Sequence, residues 1–141
     1  MTIHQLSVFL ENKPGTLDEI LNILKSANVQ IIASTISDTV EYGIYRVITN
    51  EPYKALDALK TKNITANLSD VFAISLDNKV GKASDVISLF TKAGVNFEYL
   101  YSFLIKDLGI LIFRTNNPEK TKEIIILNKL AYIKESDLSS I

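Results

Sequence analysis

The chain has no cysteine, and this absence removes several classes of chemistry at once. Without a thiol it forms no disulfide, thiolate zinc site, iron–sulfur cluster or cysteine nucleophile. No apolar run reaches the roughly 18 residues that a membrane-spanning helix needs. The N-terminus also lacks a basic and then apolar signal followed by a small-residue cleavage site. We therefore expect a cytoplasmic protein with no membrane partner.

Charge of one sign and histidine are equally scarce. The net charge is −1, from 15 Lys+Arg and 16 Asp+Glu. Nucleic-acid binders need a cationic surface that displaces counterions from phosphates, so we expect no nucleic-acid partner. The single histidine, His4, lies near the start of a predicted strand, which is a poor place to assemble an acid/base site. The five glycines are dispersed and make no phosphate-binding motif. We expect a non-enzyme with no catalytic residue, metal or cofactor.

What the chain does contain is an internal repeat. The same spacing of 66 positions relates a series of identical residues without a gap, among them Asn12/Asn78, Gly15/Gly81, Ala27/Ala93, Gly43/Gly109, Asn50/Asn116 and Pro52/Pro118. A register that holds turn residues in step over this length indicates two similar structural units. We predict one domain over residues 1–69 and a second over residues 70–141, with almost no linker.

The hydrophobic periodicity predicts the same order of elements in both units: strand, helix, strand, strand, helix, strand. In the first unit, residues 6–10 alternate as a strand, and residues 17–24 recur at helical spacing after Thr16, the predicted N-cap. The predicted last strands are residues 64–68 and 131–134. This βαββαβ order is the ferredoxin-like motif, an α+β fold whose helices cover one face of an antiparallel sheet.

The other face of that sheet raises a question. Residues 110–113 are apolar on both sides of a predicted strand, as is much of residues 31–36. A strand with one face in water should alternate between apolar and polar residues. One interpretation is an apolar but exposed face. We favour burial against another sheet or subunit, because apolar patches mark interfaces, and we therefore expect a homodimer.

The turn at residues 12–17 leads directly into an amphipathic helix and has the features of a receptor for a small zwitterion. Gly15 lets a ligand approach the backbone closely. The free amides of a helix start, with the macrodipole, suit a carboxylate. The side-chain oxygen of Asn12 can accept a hydrogen bond from an ammonium group. The alternative is a strand-to-helix turn that needs Gly and Pro for geometry alone, and these residues do not decide between the two.

These segments resemble an ACT domain. That family's signature is a strand, then Asp/Asn-x-Pro-Gly, then a helix ending in (Ala/Gly)-x-(Val/Ile)-(Asn/Asp)-(Ile/Val). Here residues 12–15 read Asn-Lys-Pro-Gly and residues 27–31 read Ala-Asn-Val-Gln-Ile. Residues 78–81 (Asn-Lys-Val-Gly) and 93–97 (Ala-Gly-Val-Asn-Phe) give the pattern again. The chain is similar to stand-alone two-ACT proteins, which implies a non-catalytic regulatory protein that binds a free amino acid.

The resemblance also implies where that ligand lies: between the strand-1/helix-1 loop and the second strand of a neighbouring ACT unit. By matching position, the implied ligand-binding residues of the first copy are Asn12, Lys13, Pro14, Gly15, Thr16, Leu17, Ser34, Thr35 and Ile36. Those of the second copy are Asn78, Gly81, Lys82, Ala83, Tyr99 and Tyr101. The second copy departs from the motif, because Val80 replaces proline and Lys82 adds a charge. We therefore expect one site, or two unequal sites.

Four aromatic residues run along the predicted second strand of the second copy. Tyr99 and Tyr101 alternate on one side of it, with Phe97 and Phe103 in line. Such a row is more typical of a core or a dimer surface than of a ligand cage. A tyrosine facing the pocket would make an aromatic or imidazole side chain a reasonable ligand.

Three functions remain to be compared. The leading hypothesis is a sensor that binds a free amino acid and passes the signal by a shift in domain or subunit packing. The alternative is a regulatory subunit that docks onto an enzyme of amino-acid metabolism. RNA-recognition modules share the βαββαβ order, but they need aromatic residues where the second copy has Leu111 and Ser75. RNA binding is therefore disfavoured.

Overall fold

The computed structural model describes residues 1–38 and 41–139. Residues 39 and 40, and the predicted end of the second domain, residues 140 and 141, lie outside the described residues. The elements in chain order are β1 (Ile3–Glu11), α1 (Thr16–Ser26), β2 (Ile31–Asp38), β3 (Tyr42–Thr49), α2 (Pro52–Thr61), β4 (Ala66–Asp77), α3 (Lys82–Lys92), β5 (Phe97–Ile105), β6 (Leu108–Thr115), α4 (Pro118–Leu127) and α5 (Glu135–Leu138). The repeated order confirms the predicted α+β, ferredoxin-like fold with antiparallel strands.

The chain forms two compact units whose terminal segments are exchanged. The first unit holds His4–Asp70 together with the residues from Glu135 onward, and the second holds Met1–Ile3 and Val71–Lys134. The hydrogen-bonded strand order is β2-β3-β1-β4 in the first unit and β4-β6-β5 in the second. β4 therefore contributes its early residues to one unit and its later residues to the other, while β2 and β5 are edge strands.

The core of the first unit follows from strand alternation and the helical stripe. Leu6 and Val8 point from β1 toward the helices, and Leu6 lies opposite Val47 of β3. From α1, Ile20 and Leu24 meet them, and all five side chains are buried. The predicted periodicities of β1 and α1 are therefore confirmed.

The second unit repeats this arrangement with aromatic residues. Phe113 of β6 lies within 5.1 to 5.7 Å, between ring centroids, of three other phenylalanines: Phe72, Phe90 and Phe97. The pairs of Phe113 with Phe90 and Phe97 are edge-to-face, as is the pair Phe90–Phe97, which suits the quadrupoles of the rings. This cluster holds α3 against β4, β5 and β6.

Three predicted details at element ends were wrong. Thr16 is not the N-cap of α1, because Gly15 occupies that position and Thr16 is the first helical residue. The predicted strand 64–68 is not a separate last strand, because its residues from Ala66 onward begin a single longer strand, β4, which continues into the second unit. The predicted strand 131–134 is reduced to an isolated bridge between Ile74 and Tyr132, since the chain then turns into α5.

The face of β6 that points away from the helices is buried in the single chain. Ile110 is 2% exposed and Ile112 is 0% exposed, although both lie on the opposite face from Leu111 and Phe113. Burial of these two residues agrees with our expectation that this face is buried. None of the helices in the described part of the chain is long and apolar enough to cross a membrane.

The predicted aromatic row is interrupted by a β-bulge. The β5–β6 register shifts between Phe97 and Tyr99. Phe97 therefore packs into the phenylalanine cluster on the helix side, whereas Tyr99 and Tyr101 lie opposite Arg114 and Ile112 on the other face. The prediction that Phe97 is in line with the tyrosines was wrong, because a bulge adds one residue and reverses the alternation.

Candidate functional site

The loop between β1 and α1, residues 12–17, is called the first loop. Gly15 adopts φ 93° and ψ −17°, a left-handed conformation that favours glycine. A Cβ atom placed on Gly15 would meet nothing within 4 Å, so the space in front of the backbone is open. Gly15 therefore serves the geometry of the turn and also leaves the helix start accessible. A turn that needs glycine for its geometry and a turn that admits a ligand are therefore compatible interpretations of the sequence.

The amides at the start of α1 are largely unpaired. No side chain caps the helix, and the hydrogen bonds of the described residues include none donated by the amides of Leu17 and Asp18. The Thr16 amide makes a bond of 3.5 Å to the carbonyl oxygen of Lys13. The Thr16 hydroxyl points back into the loop, 2.8 Å from the carbonyl oxygen of Glu11 and 2.9 Å from that of Lys13. It therefore braces the turn and does not cap the helix.

Charged groups of both signs stand beside this helix start. Lys13 Nζ lies 3.1 Å from Glu11 Oε2, and both side chains are more than half exposed. Asp18 and Glu19 occupy the first turn of α1. The hydrogen bonds of the described residues leave the side chain of Asn12 unpaired. The surroundings therefore offer acceptors for an ammonium group and donors for a carboxylate.

A cavity of about 340 Å³ opens next to the first loop. This volume is at the lower end of the roughly 300–1,000 Å³ that is typical of small-molecule sites. Its wall contains residues of β1, the first loop, α1, β3 and the segment before β4: Phe9, Leu10, Glu11, Lys13, Thr16, Glu19, Ile20, Tyr42, Asn63, Ile64 and Thr65. Of the residues implied by resemblance, this wall contains Lys13 and Thr16.

A second, larger groove of about 850 Å³ lies on the other side of the first loop, between α1 and α2. Gly15 and Asp18 form its end, and Ala27, Ala58 and Thr61 are among the residues along its length. Glu19 borders both the groove and the smaller cavity.

Sequence reasoning missed part of the cavity wall. Tyr42 was not proposed, although it pairs with Glu11 in the β1–β3 register. The segment 63–65 was also missed, because it comes from a distant part of the chain. It reaches β1 through the hydrogen bond from the Phe9 amide to the Thr65 carbonyl oxygen, 3.0 Å long. A signal for the first of these existed in the sequence, since the hairpin register of β1 and β3 predicts the residue opposite Glu11.

The implied residues on β2 do not line either cavity. Ser34 and Ile36 lie opposite Val47 and Tyr45 of β3, on the face that carries the helices, and Thr35 lies on the other face. Gly43 has no side chain, and the side chains of Leu10 and Ile36 both come close to the place that its Cβ atom would occupy. Ile36 therefore lies near the end of β1 from which the first loop leaves. Within one unit, β2 therefore stands one strand away from β1.

The loop between β4 and α3, residues 78–83, is called the second loop and repeats the backbone of the first. Gly81 has φ 87°, and the Asp85 amide donates to the Gly81 carbonyl oxygen at 3.0 Å, as the Glu19 amide does to Gly15. Asn78, Lys82 and Ala83 are exposed. Because Lys82 stands where Thr16 does in the first loop, the second loop has a cation in place of the bracing hydroxyl.

His4 has more neighbours than its place on a strand suggested. Its backbone amide donates to Glu135 Oε2 at 2.7 Å, and its ring Nδ1 lies 3.2 Å from the same oxygen. Its Nε2 lies 3.2 Å from the Tyr53 hydroxyl and 3.8 Å from Asp70. These contacts fasten α5 to β1 and α2. Among the described residues no three His, Asp or Glu side chains are grouped so that they would hold a metal ion.

A family described as an ACT domain pair matches residues 1–141. The crystal structure of a protein from Bacteroides thetaiotaomicron is 35% identical, with a TM-score of 0.94, and covers 100% of this chain and 98% of that one. The ligand-free regulatory subunit of aspartate kinase from Thermus thermophilus is 16% identical, with a TM-score of 0.61 over 88% of this chain and 91% of that one. This second likeness concerns the fold alone. No curated protein matches the chain significantly.

Proposed function

The chain belongs to the ACT domain pair family, and we propose that it is a non-catalytic sensor that binds a free amino acid at the first loop. The observation that carries this proposal is the start of α1, where the amides of Leu17 and Asp18 are unpaired and a cavity of about 340 Å³, lined by Glu11, Lys13, Thr16 and Glu19 among others, opens beside them with charges of both signs. Aspartate kinase regulatory subunits share the fold. This supports a regulatory role.

The chemistry of the site suits an α-amino acid. The carboxylate accepts hydrogen bonds from the amides of Leu17 and Asp18, helped by the macrodipole of α1. The ammonium group donates to Glu19 or to the side-chain oxygen of Asn12, and the ligand side chain enters the cavity toward Phe9 and Tyr42. Two or three charge-assisted hydrogen bonds of about 1.5–3 kcal/mol each, less the cost of ordering, correspond to micromolar to millimolar affinity.

The remaining implied residues belong to this proposal as well. At the first loop, β2 of a neighbouring ACT unit closes the site with Ser34 and Ile36, or with Thr35. At the second loop, the strand that carries Tyr99 and Tyr101 closes the site in the same way. We propose that the sensor works in the cytoplasm as a homodimer. The second loop is the weaker or unequal site, because it lacks the proline and the bracing hydroxyl.

The test is a thermal-shift screen of the twenty amino acids, followed by titration calorimetry of each stabilising compound. A ligand at about 100 Kd stabilises the folded chain by about 2.7 kcal/mol, which raises the melting temperature by several degrees. A flat screen at millimolar concentration contradicts the sensor and favours the alternative, a regulatory subunit that docks onto an enzyme of amino-acid metabolism.

Asn12→Leu identifies the site, because it removes the ammonium acceptor at a position with no packing role. We expect affinity to fall about tenfold, which corresponds to about 1.4 kcal/mol, without a change in stability. Asn78→Leu, the matched variant in the second loop, should leave the tighter site intact. Gly15→Val is less informative, because φ 93° strains any residue with a side chain. Equal losses in the Asn12 and Asn78 variants would contradict a dominant first site.

A further inference from the structure

The helix α4 ends with two apolar side chains that point to the outside. Its inward face is formed by Thr121, Ile124 and Ile125, which are buried. Ile126 is 63% exposed and Leu127 is 78% exposed. Single exposed apolar residues are ordinary on a protein surface, whereas contiguous ones mark interaction sites. The end of α4 is therefore a candidate contact surface.

The first unit shows that the fold does not require apolar residues at these two positions. The residues 66 positions earlier, at the end of α2, are Lys60 and Thr61, and both are exposed. The helices α2 and α4 each have ten residues and begin with proline. Because α2 ends with two polar residues, the apolar pair Ile126 and Leu127 indicates a contact beyond the fold itself.

Leu127 also lines a groove of about 280 Å³ between α3 and α4, which is called the α3–α4 groove. Leu89, Ala93 and Ile124 contribute the other apolar side chains of its wall. The volume is below the roughly 300–1,000 Å³ that is typical of small-molecule sites. The groove therefore suits a side chain of a larger partner better than a separate small ligand.

The charged groups around the α3–α4 groove are mainly cations. Lys92, in the last turn of α3, lines the groove with Lys120 and Glu123 of α4. Lys120 Nζ lies 3.3 Å from Glu123 Oε2, so these two charges offset each other. Lys129 is exposed two positions after Leu127. The ion pairs of the described residues include neither Lys92 nor Lys129, which leaves two cations for a partner's carboxylates.

We propose that the α3–α4 groove, together with the exposed end of α4, binds an acidic amphipathic helix of a partner protein. The apolar side of that helix covers Ile126 and Leu127, and its carboxylates pair with Lys92 and Lys129. An apolar helix face that lies in a groove is a recurrent mode of recognition. The proposal goes beyond amino-acid binding and does not rest on it.

Two other occupants fit this surface less well. An anionic membrane is attracted by lysines, but the carboxylates of Glu119 and Glu123 stand among the lysines of α4 and oppose that attraction. A second copy that presents the same surface would bring two positively charged surfaces together, since an isologous contact pairs a surface with itself. An acidic partner meets neither obstacle.

Two synthetic peptides test the chemistry of the partner. Each has about 18 residues, longer than the roughly 12–15 below which isolated helices are marginal in water. Both carry leucines at the same helical spacing, and the remaining positions are glutamate and alanine in one peptide and lysine and alanine in the other. Fluorescence anisotropy of each labelled peptide, titrated with the full chain, gives its dissociation constant. We expect the acidic peptide to bind at least about tenfold more tightly. Equal affinities, or no binding of either peptide, would overturn the proposal.

Polar substitutions locate the contact on α4. Leu127→Thr gives α4 the residue found at the matching position of α2, and Ile126→Gln adds a second uncharged polar residue. We expect the double variant to bind the acidic peptide at least about tenfold more weakly. Its melting temperature should stay the same, because both side chains are largely exposed. Lys60→Gln in α2 is the matched control and should leave the affinity unchanged. The contact is elsewhere if the double variant binds as the natural chain does.

A charge reversal separates a specific contact from general attraction between opposite charges. Lys92→Glu should weaken binding of the acidic peptide and strengthen binding of the lysine peptide. Ser26→Glu makes a similar change of net charge at the matching position of α1, and it should do neither. Equal effects of the two variants contradict a contact at Lys92.

The other occupants have their own measurements. We expect no cosedimentation of the chain with phosphatidylserine vesicles that depends on Leu127. We also expect Leu127→Thr to leave the oligomeric state unchanged in sedimentation velocity. Vesicle binding that Leu127→Thr abolishes would assign the surface to a membrane, and a dimer that it dissociates would assign the surface to a second copy. Either result rejects the acidic partner, whether or not an amino acid binds at the first loop.

Discussion

The two units have the same backbone but fill their cores with different side chains. Four positions at the centre of the first core are aliphatic, and the residues 66 positions later are all phenylalanine: Leu6/Phe72, Leu24/Phe90, Ile31/Phe97 and Val47/Phe113. The second core therefore replaces all four of these aliphatic side chains with phenylalanine rings. The comparison shows that the fold depends on where apolar side chains stand, while their shape is chosen jointly with their neighbours.

The difference in the cores also changes how each is completed. Around the aliphatic cluster, partly buried residues from α1, α2 and the first part of β4 fill the remaining space, among them Leu17, Leu21, Leu56 and Leu68. The phenylalanine rings occupy more of the corresponding space themselves. Because the rings contact one another edge to face, the second core gains directional contacts that the first core lacks.

The largest expected effect tests this contrast directly. Phe90→Ala should cost about 3–5 kcal/mol, and the matched Leu24→Ala should cost less, within the about 2–5 kcal/mol typical of such changes. Both side chains are fully buried, but Phe90 also loses ring contacts with Phe97 and Phe113. Urea unfolding measures the cost, and hydrogen exchange locates it in one unit. A loss in Leu24→Ala that equals or exceeds the loss in Phe90→Ala would contradict the ring contribution.

A buried hydroxyl distinguishes the ends of β3 and β6. Thr115 lies 2.8 Å from the Thr121 hydroxyl and accepts from the Asn117 amide at 3.2 Å. At the matching place Thr49 is 1% exposed and has no hydrogen-bond partner among the described residues, because Ala55 stands where Thr121 does. The same residue type is therefore satisfied in one unit and unsatisfied in the other.

Replacing each hydroxyl with a methyl group should give effects of opposite sign. Thr115→Val should cost about 1–3 kcal/mol, because it leaves the Asn117 amide without its acceptor. Thr49→Val should be neutral or stabilising, since it removes a polar atom that has no partner. The free energy of unfolding in urea measures both. A comparable loss in the two variants would contradict this contrast, because it would mean that the Thr49 hydroxyl also makes a stabilising hydrogen bond.

The smallest expected effect concerns the two loops. Val80 is fully exposed and stands where the first loop has Pro14. Val80→Pro should stabilise the chain by about 0.4–1 kcal/mol, because it restricts the unfolded chain in a turn whose hydrogen bonds match those of the first loop. Pro14→Val should lose a similar amount. The melting temperatures of the two variants measure the effect, and destabilisation by Val80→Pro would mean that the loop backbones differ.

Much of the repeated structure was predictable because it depends on local residues. The repeat of asparagine at positions 50 and 116 was visible in the sequence, and the two side chains make equivalent hydrogen bonds. Asn50 Oδ1 accepts from the Gln30 amide at 2.9 Å, and Asn116 Oδ1 accepts from the Asn96 amide at 3.0 Å. The loop glycines were likewise predicted, because a sharp turn into a helix requires a positive φ.

Other features were not predictable, for identifiable physical reasons. α5 has four residues, too few to show a helical period, and Glu135 reaches His4 across 131 positions of the chain. The bulge before Tyr99 leaves no mark in the alternation of apolar residues, since both faces of β5 carry them. For the candidate site, the first loop was predicted, but the wall formed by residues 63–65 depends on how β4 approaches β1.

By itself, the sequence determined the doubled βαββαβ order, the two loops that open α1 and α3, and the apolar positions of both cores. These follow from short-range periodicity and from glycine at positive φ, which neighbouring residues are sufficient to specify. Only the tertiary structure decided which chain ends complete which unit and which groups surround the start of α1. Each of these depends on contacts between segments far apart in the chain, and their distances are set by packing.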